Sequence, residues 1–273
     1  MFYRYIGTRR KPADIDNLFR GACVLVGGGP QYTECLDALK NPNILTMAMN
    51  NTAVSFRPDL WIGCDQAANY SNSILLNPTI MKFAQLNRMG CELTDRPGVK
   101  WRTLPNTFFF PIKSDFPFRS FFHRGKYFGW WKNVFLAALL VIYRLGFNKV
   151  YTVGCGFHIT VKDQYGFPSN LDEGQVKYNQ RTYNLAVNQV RAILPYAVEA
   201  NFEIISCTPG SKLNDIVPYE PFEKVCEELI AKVPMHDTLN VKHPKERTDA
   251  DPRPGEHAAD PEHGEAAKAK EPA

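Results

Sequence analysis

The sequence lacks an apolar run long enough to cross a bilayer. The longest, residues 134–143, is ten residues, about half of the ~20 that a spanning helix needs. The first twelve residues, MFYRYIGTRRKP, lack the hydrophobic core of a signal peptide, so secretion is not expected. The seven cysteines are scattered, odd in number and without a CxxC or Cys/His cluster, which disfavours a disulfide framework and a structural zinc site. These absences imply a soluble, cytoplasmic, reduced protein. The net charge of +4, from 32 Lys and Arg against 28 Asp and Glu, is too mild to announce nucleic acid. The GxGxxG fingerprint is missing, and so is the Gly-Lys-Ser/Thr of a P-loop, which weakens a dinucleotide or Walker NTPase reading.

The chain end separates itself by composition. From residue 242 to 273 there is no Val, Ile, Leu, Met, Phe, Trp, Tyr or Cys. Such a stretch has no apolar surface to offset the entropy of ordering, and a disordered tail is expected over 234–273. His257 and His263 in it read as polar filler rather than metal ligands. Residues 1–241 hold 26 Lys and Arg against 20 Asp and Glu, or +6, so the part expected to fold is the more basic part. The expected organisation is an N-terminal extension over 1–20 and a Rossmann-like domain over 21–233. An aromatic-rich insertion is expected at about 79–131.

Within that domain strand and helix signals alternate. Residues 23–26 (CVLV), 44–49, 60–64, 149–153 and 202–206 are short apolar runs that read as buried strands. Residues 101–104 and 108–112 look like further short strands. Helical patterns cover 33–40, 133–145, 175–200 and 221–232, with Pro195 expected to kink or break the third. Buried strands alternating with helices imply an α/β, Rossmann-like, mostly parallel sheet covered on both faces.

The sharpest local signal is Val26-Gly27-Gly28-Gly29-Pro30, between the first of these strands and the helix that follows it. In a doubly wound sheet ligands sit beyond the carboxyl ends of the strands. Glycine permits close approach to the backbone, and a helix N-terminus favours an anion. The alternative is a tight turn with no ligand. The next strand ends in Asn50-Asn51 and the one after it in Asp65, so three polar groups and a glycine loop converge on one edge. Asparagine both donates and accepts, which suits a nucleobase or ribose, but either Asn also serves as a cap. Asp65 reads as a ribose or metal ligand, as a base, or as the N-cap of a helix starting near Ala67.

The segments GACVLVGGGPQ, NILTMAMNNTAVSFRPDLWIGCDQ, NVFLAALLVIYRLGFNKVYTVGCGFH and CTPGSKLNDIVPY resemble two related groups in order and spacing. One is the bacterial sialyltransferase family whose loop reads Gly-x-Gly-Pro-Ser. The other is the MptE-like family, which includes archaeal 6-hydroxymethylpterin diphosphokinases and glycosyltransferase-like proteins. The first resemblance implies that Gly27, Gly28, Gly29, Pro30, Gln31 and Asn50 or Asn51 hold the nucleotide of a CMP-sugar, with Gln31 standing where that family has Ser. The family's donor-touching Thr-Ser-Gly turn corresponds here to Trp131-Lys132-Asn133, which makes Lys132 and Asn133 candidates. Two nearby tyrosines hold the leaving phosphate in that family; His158 and Tyr165 fall close to those positions. Its downstream catalytic His has no counterpart in residues 171–184 (LDEGQVKYNQRTYN).

Sugar transfer with inversion needs a base for the acceptor's proton and groups that stabilise the departing phosphate. Asp65 and His158 are candidates for the base, with His123 a looser third. Lys126, Lys132, Lys162 and Tyr165 are candidates for the phosphate. Residues 108–131 interleave Phe, Trp and Tyr with Lys113, Arg119, Arg124 and Lys126. That pattern serves as packing, as a lid or small subdomain, as a dimer contact, or as a platform for DNA. The leading expectation is a nucleotide-sugar-dependent glycosyltransferase with the donor as its bound nucleotide; its acceptor is a modified nucleobase in DNA, a surface glycan or another group. The alternatives are an MptE-like diphosphokinase, with Asp65 helping to hold Mg²⁺ near ATP, and a catalytically inactive nucleotide-binding or assembly protein. Oligomerisation is left open.

Overall fold

The computed structural model describes residues 1–129 and 131–231. Its strands in chain order are β1 (Phe2–Ile6), β2 (Arg9–Ala13), β3 (Ala22–Val26), β4 (Thr46–Met49), β5 (Leu60–Gly63), β6 (Met81–Gln85), β7 (Glu92–Leu93), β8 (Arg96–Lys100), β9 (Thr107–Phe110), β10 (Ile112–Lys113), β11 (Phe128–Gly129), β12 (Lys149–Val153) and β13 (Glu203–Ser206). The helices are α1 (Leu36–Leu39), α2 (Asn72–Leu75), α3 (Val134–Leu145), α4 (Glu173–Glu199) and α5 (Phe222–Ala231). Nine strands form one sheet in the order β13-β12-β3-β4-β5-β6-β9-β1-β2. From β13 to β9 every pairing is parallel, while β1 runs antiparallel to β9 and β2 antiparallel to β1. The chain steps from β3 outward through β4, β5, β6 and β9, then returns to β12 on the other side of β3. The strand order therefore reverses between β3 and β12, the position where open α/β sheets bind ligands.

Strand alternation divides the core in two. On β3, Cys23 and Leu25 face one apolar cluster and Val24 and Val26 the other; Met47 and Met49 of β4 oppose Ala48 in the same way. The first cluster is closed by α3 and α4, the second by α1, α2 and α5. Each strand is apolar on both sides because both faces of the sheet are covered. This is the Rossmann-like α/β architecture expected from the sequence.

Helix α3 buries ten of its twelve residues. Asn133 caps its start by accepting the Phe135 N–H at 2.8 Å, and Gly146, at φ 104°, ends it in the left-handed region. The one charged residue buried in it, Arg144, makes a bidentate pair with Asp16 at 2.7 and 3.0 Å and donates to the Gly125 carbonyl at 2.8 Å. Helix α4 starts with a capping box between Asp172 and Gln175 and runs unbroken through Pro195.

Several local expectations need correction. Pro195 does not break α4, whose long amphipathic face stays packed on either side of it. The helix expected over 33–40 is a 3-10 turn, Pro30–Cys35, followed by the single α turn of α1. Residues 101–104 form a 3-10 turn, Trp101–Thr103, that buries Trp101 rather than extending as a strand. The 79–131 stretch contributes β6 and β9 to the main sheet, and most of its described aromatics turn inward, with Tyr127 exposed. Phe109, Phe110, Phe121, Phe122 and Phe128 are buried, and Trp131 stacks on Phe118 and Phe121. The first twenty residues carry the β1–β2 hairpin and the Asp16 partner of Arg144. The tail over 234–273, with His257 and His263, lies outside the described residues.

Candidate active site at the strand ends

A cavity of about 480 Å³ opens at the carboxyl ends of β3, β4, β5 and β12, on the reversal point of the sheet. Its size is in the range of small-molecule sites. Of the residues singled out in the sequence, Gly27, Gly28, Gly29, Asn50, Asn51, Asp65, Asn133, His158 and Tyr165 line it; Pro30, Gln31 and Lys132 do not. His123, Lys126 and Lys162 also lie outside the lining.

The glycine loop lines the cavity and also packs against the backbone that follows β12. The Gly27 N–H donates to Val153 O and the Gly29 N–H to Gly154 O, each at 2.8 Å. Those two amides are therefore spent on the β12 side rather than free for phosphate, leaving the Gly28 N–H. The helix that follows is a 3-10 turn and one α turn, too short to supply a sizeable macrodipole. Gly28 lies under the stacked rings of Tyr165 and Phe167, whose centroids are 5.0 Å apart. The loop carrying them is tied down by Gly166 N–H to Gly28 O at 3.0 Å and by Tyr32 O–H to Gly166 O at 3.1 Å. Gln164 clamps it from within, donating to Leu171 O and accepting from Leu171 N and Ser169 Oγ.

The two asparagines after β4 divide their tasks. Asn51 spends both ends of its amide on the protein, donating to Asn69 O at 2.8 Å and accepting from Ser71 N at 3.1 Å. Asn50 sits at φ 53°, its carbonyl accepting from Trp61 Nε1 at 2.7 Å and its Oδ1 from the Tyr70 hydroxyl at 3.4 Å. That geometry leaves the Asn50 NH₂ for the cavity. Asn133 is similar: its Oδ1 caps α3 and its NH₂ remains. Asp65 is exposed at the rim, where its backbone N–H donates to the Tyr70 oxygen at 2.8 Å.

His158 follows β12 and is half-buried. Its Nδ1 lies 3.2 Å from the Gly156 carbonyl. A carbonyl only accepts, so Nδ1 carries the proton in the neutral ring and Nε2 keeps its lone pair. Tyr165 meets Tyr183, hydroxyl to hydroxyl, at 3.0 Å, and its oxygen accepts from Asn179 Nδ2 at 3.2 Å. Burial pushes the Tyr183 phenol above its usual range, and the Tyr70 phenol likewise, so both remain neutral. Burial also pushes the Cys155 thiol up to about 12, which rules it out as a thiolate nucleophile at neutral pH.

Asn179, Tyr183, Phe167, Asn69 and Tyr70 line the cavity without having been singled out in the sequence. Asn179 and Tyr183 stand four apart, so both project from one face of α4. That i, i+4 polar pair inside 171–184 was the available signal. Among the described residues the lining holds one carboxylate, Asp65, and neither Lys nor Arg. No cluster of three His, Cys, Asp or Glu side chains able to hold a metal occurs among them.

No protein-family model matches the chain, and no curated protein matches it. Among solved structures it is similar to the sialyltransferase CstII from Campylobacter jejuni. One such structure, in complex with the substrate analogue cytidine-5'-monophosphate, is 12% identical with a TM-score of 0.41 over 74% of this chain and 85% of that one. A second, in complex with CMP-3FNeuAc, is 13% identical with a TM-score of 0.39 over 74% and 86%.

Proposed function

We propose that the chain is a glycosyltransferase that takes a nucleotide sugar as donor in the cavity at the β3–β12 reversal point. One observation carries the reading: a single cavity holds both an imidazole with a free Nε2 lone pair and a phenol pair with an unspent proton. Inverting glycosyl transfer needs a base and a donor to the leaving phosphate, and these two groups can supply them. The acceptor hydroxyl attacks the anomeric carbon and loses its proton to His158 Nε2. The bond from that carbon to the phosphate oxygen breaks, and the departing oxygen gains a hydrogen bond from the phenol. The NH₂ groups of Asn50 and Asn133 and the Gly28 N–H add further neutral donors around the nucleotide.

The lack of cationic side chains in the lining also bears on the diphosphokinase alternative. A magnesium triphosphate carries several charges, and the cavity meets them with one carboxylate and no lysine or arginine. These residues do not fit that group. A monophosphate-linked donor suits a neutral array of donors better than a pyrophosphate does.

The test is a thermal-shift panel of CMP, UDP, GDP, ADP, ATP and matching nucleotide sugars, with and without Mg²⁺. Ligand at ~100 times its Kd adds ~2.7 kcal/mol and raises the midpoint by several degrees. A metal-independent shift with one nucleotide and its sugar conjugate, with slow donor hydrolysis, is expected. A shift confined to Mg·ATP points to the kinase. Binding without turnover points to a binding protein, and no shift at all removes the nucleotide reading.

A further inference from the structure

Resting on the donor site above, we propose that Tyr183 and Asn179 of α4 are positioning residues that turn Tyr165 into an obligate hydrogen-bond donor to the leaving group. Tyr165 and Tyr183 bring two O–H protons to a contact of 3.0 Å, and that contact uses one of them. The Asn179 amide donates a further hydrogen to the Tyr165 oxygen at 3.2 Å. Either hydroxyl can donate across that contact; when Tyr183 donates beside Asn179, the Tyr165 oxygen has its two lone pairs filled. Its own proton then has no acceptor among the described residues and faces the cavity that Tyr165 lines.

Three features hold this arrangement. Tyr183 is kept neutral by burial and so keeps its proton to give. Tyr165 is stacked on Phe167, over Gly28, on a loop fixed by Gly166 and Gln164. Asn179 and Tyr183 sit one turn apart on a helix that is capped at Asp172 and anchored in the core from Ala186 onward. The phenol therefore meets an acceptor already oriented, which lowers the ordering cost of the contact. A leaving phosphate oxygen, more basic as the glycosidic bond lengthens, gains most from such a donor. In this arrangement Tyr165 touches substrate, whereas Tyr183 and Asn179 act through it.

A double-mutant cycle tests the assignment on the full chain, using the nucleotide and nucleotide sugar that score in the thermal-shift panel. Tyr183→Phe keeps the ring and removes only the hydroxyl. In the native background it lowers kcat about tenfold, the scale of one oriented hydrogen bond, with a smaller change in KM. In a Tyr165→Phe background the same substitution changes kcat by less than about twofold, because the group it positions is gone. Asn179→Gln, which retains an amide, recovers more rate than Asn179→Leu. Equal effects of Tyr183→Phe in both backgrounds, or none in either, overturn the relay. Melting temperatures of the same four proteins without ligand read the coupling independently: additive losses there also overturn it. If the native protein binds no nucleotide while the melting losses are coupled, the phenol pair stands and the donor reading falls.

Discussion

The Gly154 carbonyl oxygen stands 2.6 Å from where a Cβ on Gly27 would lie, and 2.7 Å from the same point on Gly29. The loops after β3 and β12 thus pack backbone against backbone, and their hydrogen bonds set that spacing. A methyl at Gly27 has only carbonyl and the Cys155 sulfur to displace. Gly27→Ala is expected to cost about 1–3 kcal/mol, the overpacking range, read as a lower denaturation midpoint. Gly28→Ala differs, because its methyl meets the rings of Phe167 and Tyr165 at 3.1 Å. It should leave the midpoint near native and weaken nucleotide binding. If Gly28→Ala unfolds the chain and Gly27→Ala does not, this division of roles is wrong.

His158→Ala removes the proposed base without touching the glycine loop. Transfer should fall by about 10²–10⁴-fold, the usual contribution of a general base, while donor affinity by calorimetry stays within about twofold. A variant that loses affinity in proportion to rate would instead make His158 a binding group.

Arg144, 2% exposed, pairs with the half-buried Asp16 between α3 and the loop after β2. The guanidinium also lies 4.9 Å over the Phe128 ring. Asp16→Ala leaves that charge without its carboxylate and should cost about 3–5 kcal/mol. Asp16→Ala combined with Arg144→Met should cost less than Asp16→Ala alone. Urea unfolding of the three proteins decides it, and a double variant weaker than the single one refutes the account.

Lys82 is fully buried, with its ammonium donating to the carbonyls of Asn77 and Ile80 at 2.6 and 2.9 Å. Burial lowers its pKa from 10.5 to about 8. Between those values the unfolded chain holds a proton that the folded chain has released, so stability rises with pH across that window. Relative to Lys82→Met, the native protein should gain on the order of 3 kcal/mol from below pH 8 to above pH 10.5. Denaturant unfolding at both ends measures this, and a pH-independent difference between the two proteins would contradict it.

The sequence revealed most where a local pattern and a tertiary demand coincide. The apolar runs of β3, β4, β5 and β12 are buried on both sides, so composition alone marks them, and Asn133 and Gly146 bracket α3 with ordinary capping chemistry. Strand β6 was harder because its Lys82 breaks the apolar run and is satisfied only by carbonyls folded back from residues 77 and 80. The site was half legible. Asn50, Asp65 and His158 follow strand ends closely, where the strand-end rule points, whereas Tyr165 entered only through the family resemblance. Asn179 and Tyr183 come from a helix that begins after the long loop carrying Tyr165, and their i, i+4 spacing marks a shared helix face without saying that this face meets the loop after β12. The glycines stand out in the sequence, but their packing against Gly154 does not, since Gly154 lies more than a hundred residues away.

Helix α4 is 27 residues long, about 40 Å from end to end, and its buried residues are unevenly placed. Ala186, Val187, Val190, Ile193 and Ala197 anchor the second half, whereas Val176 alone is buried in the first. The first half is therefore held largely by its cap and by the polar wall it presents to the cavity. Its amides should exchange with deuterium through local fraying, well before those of the second half, which open only with the core. A molecule seated against Asn179 and Tyr183 would close that gap in protection. The helix would then record occupancy of the cavity as a change in how far unwinding travels along it, with no displacement of its axis.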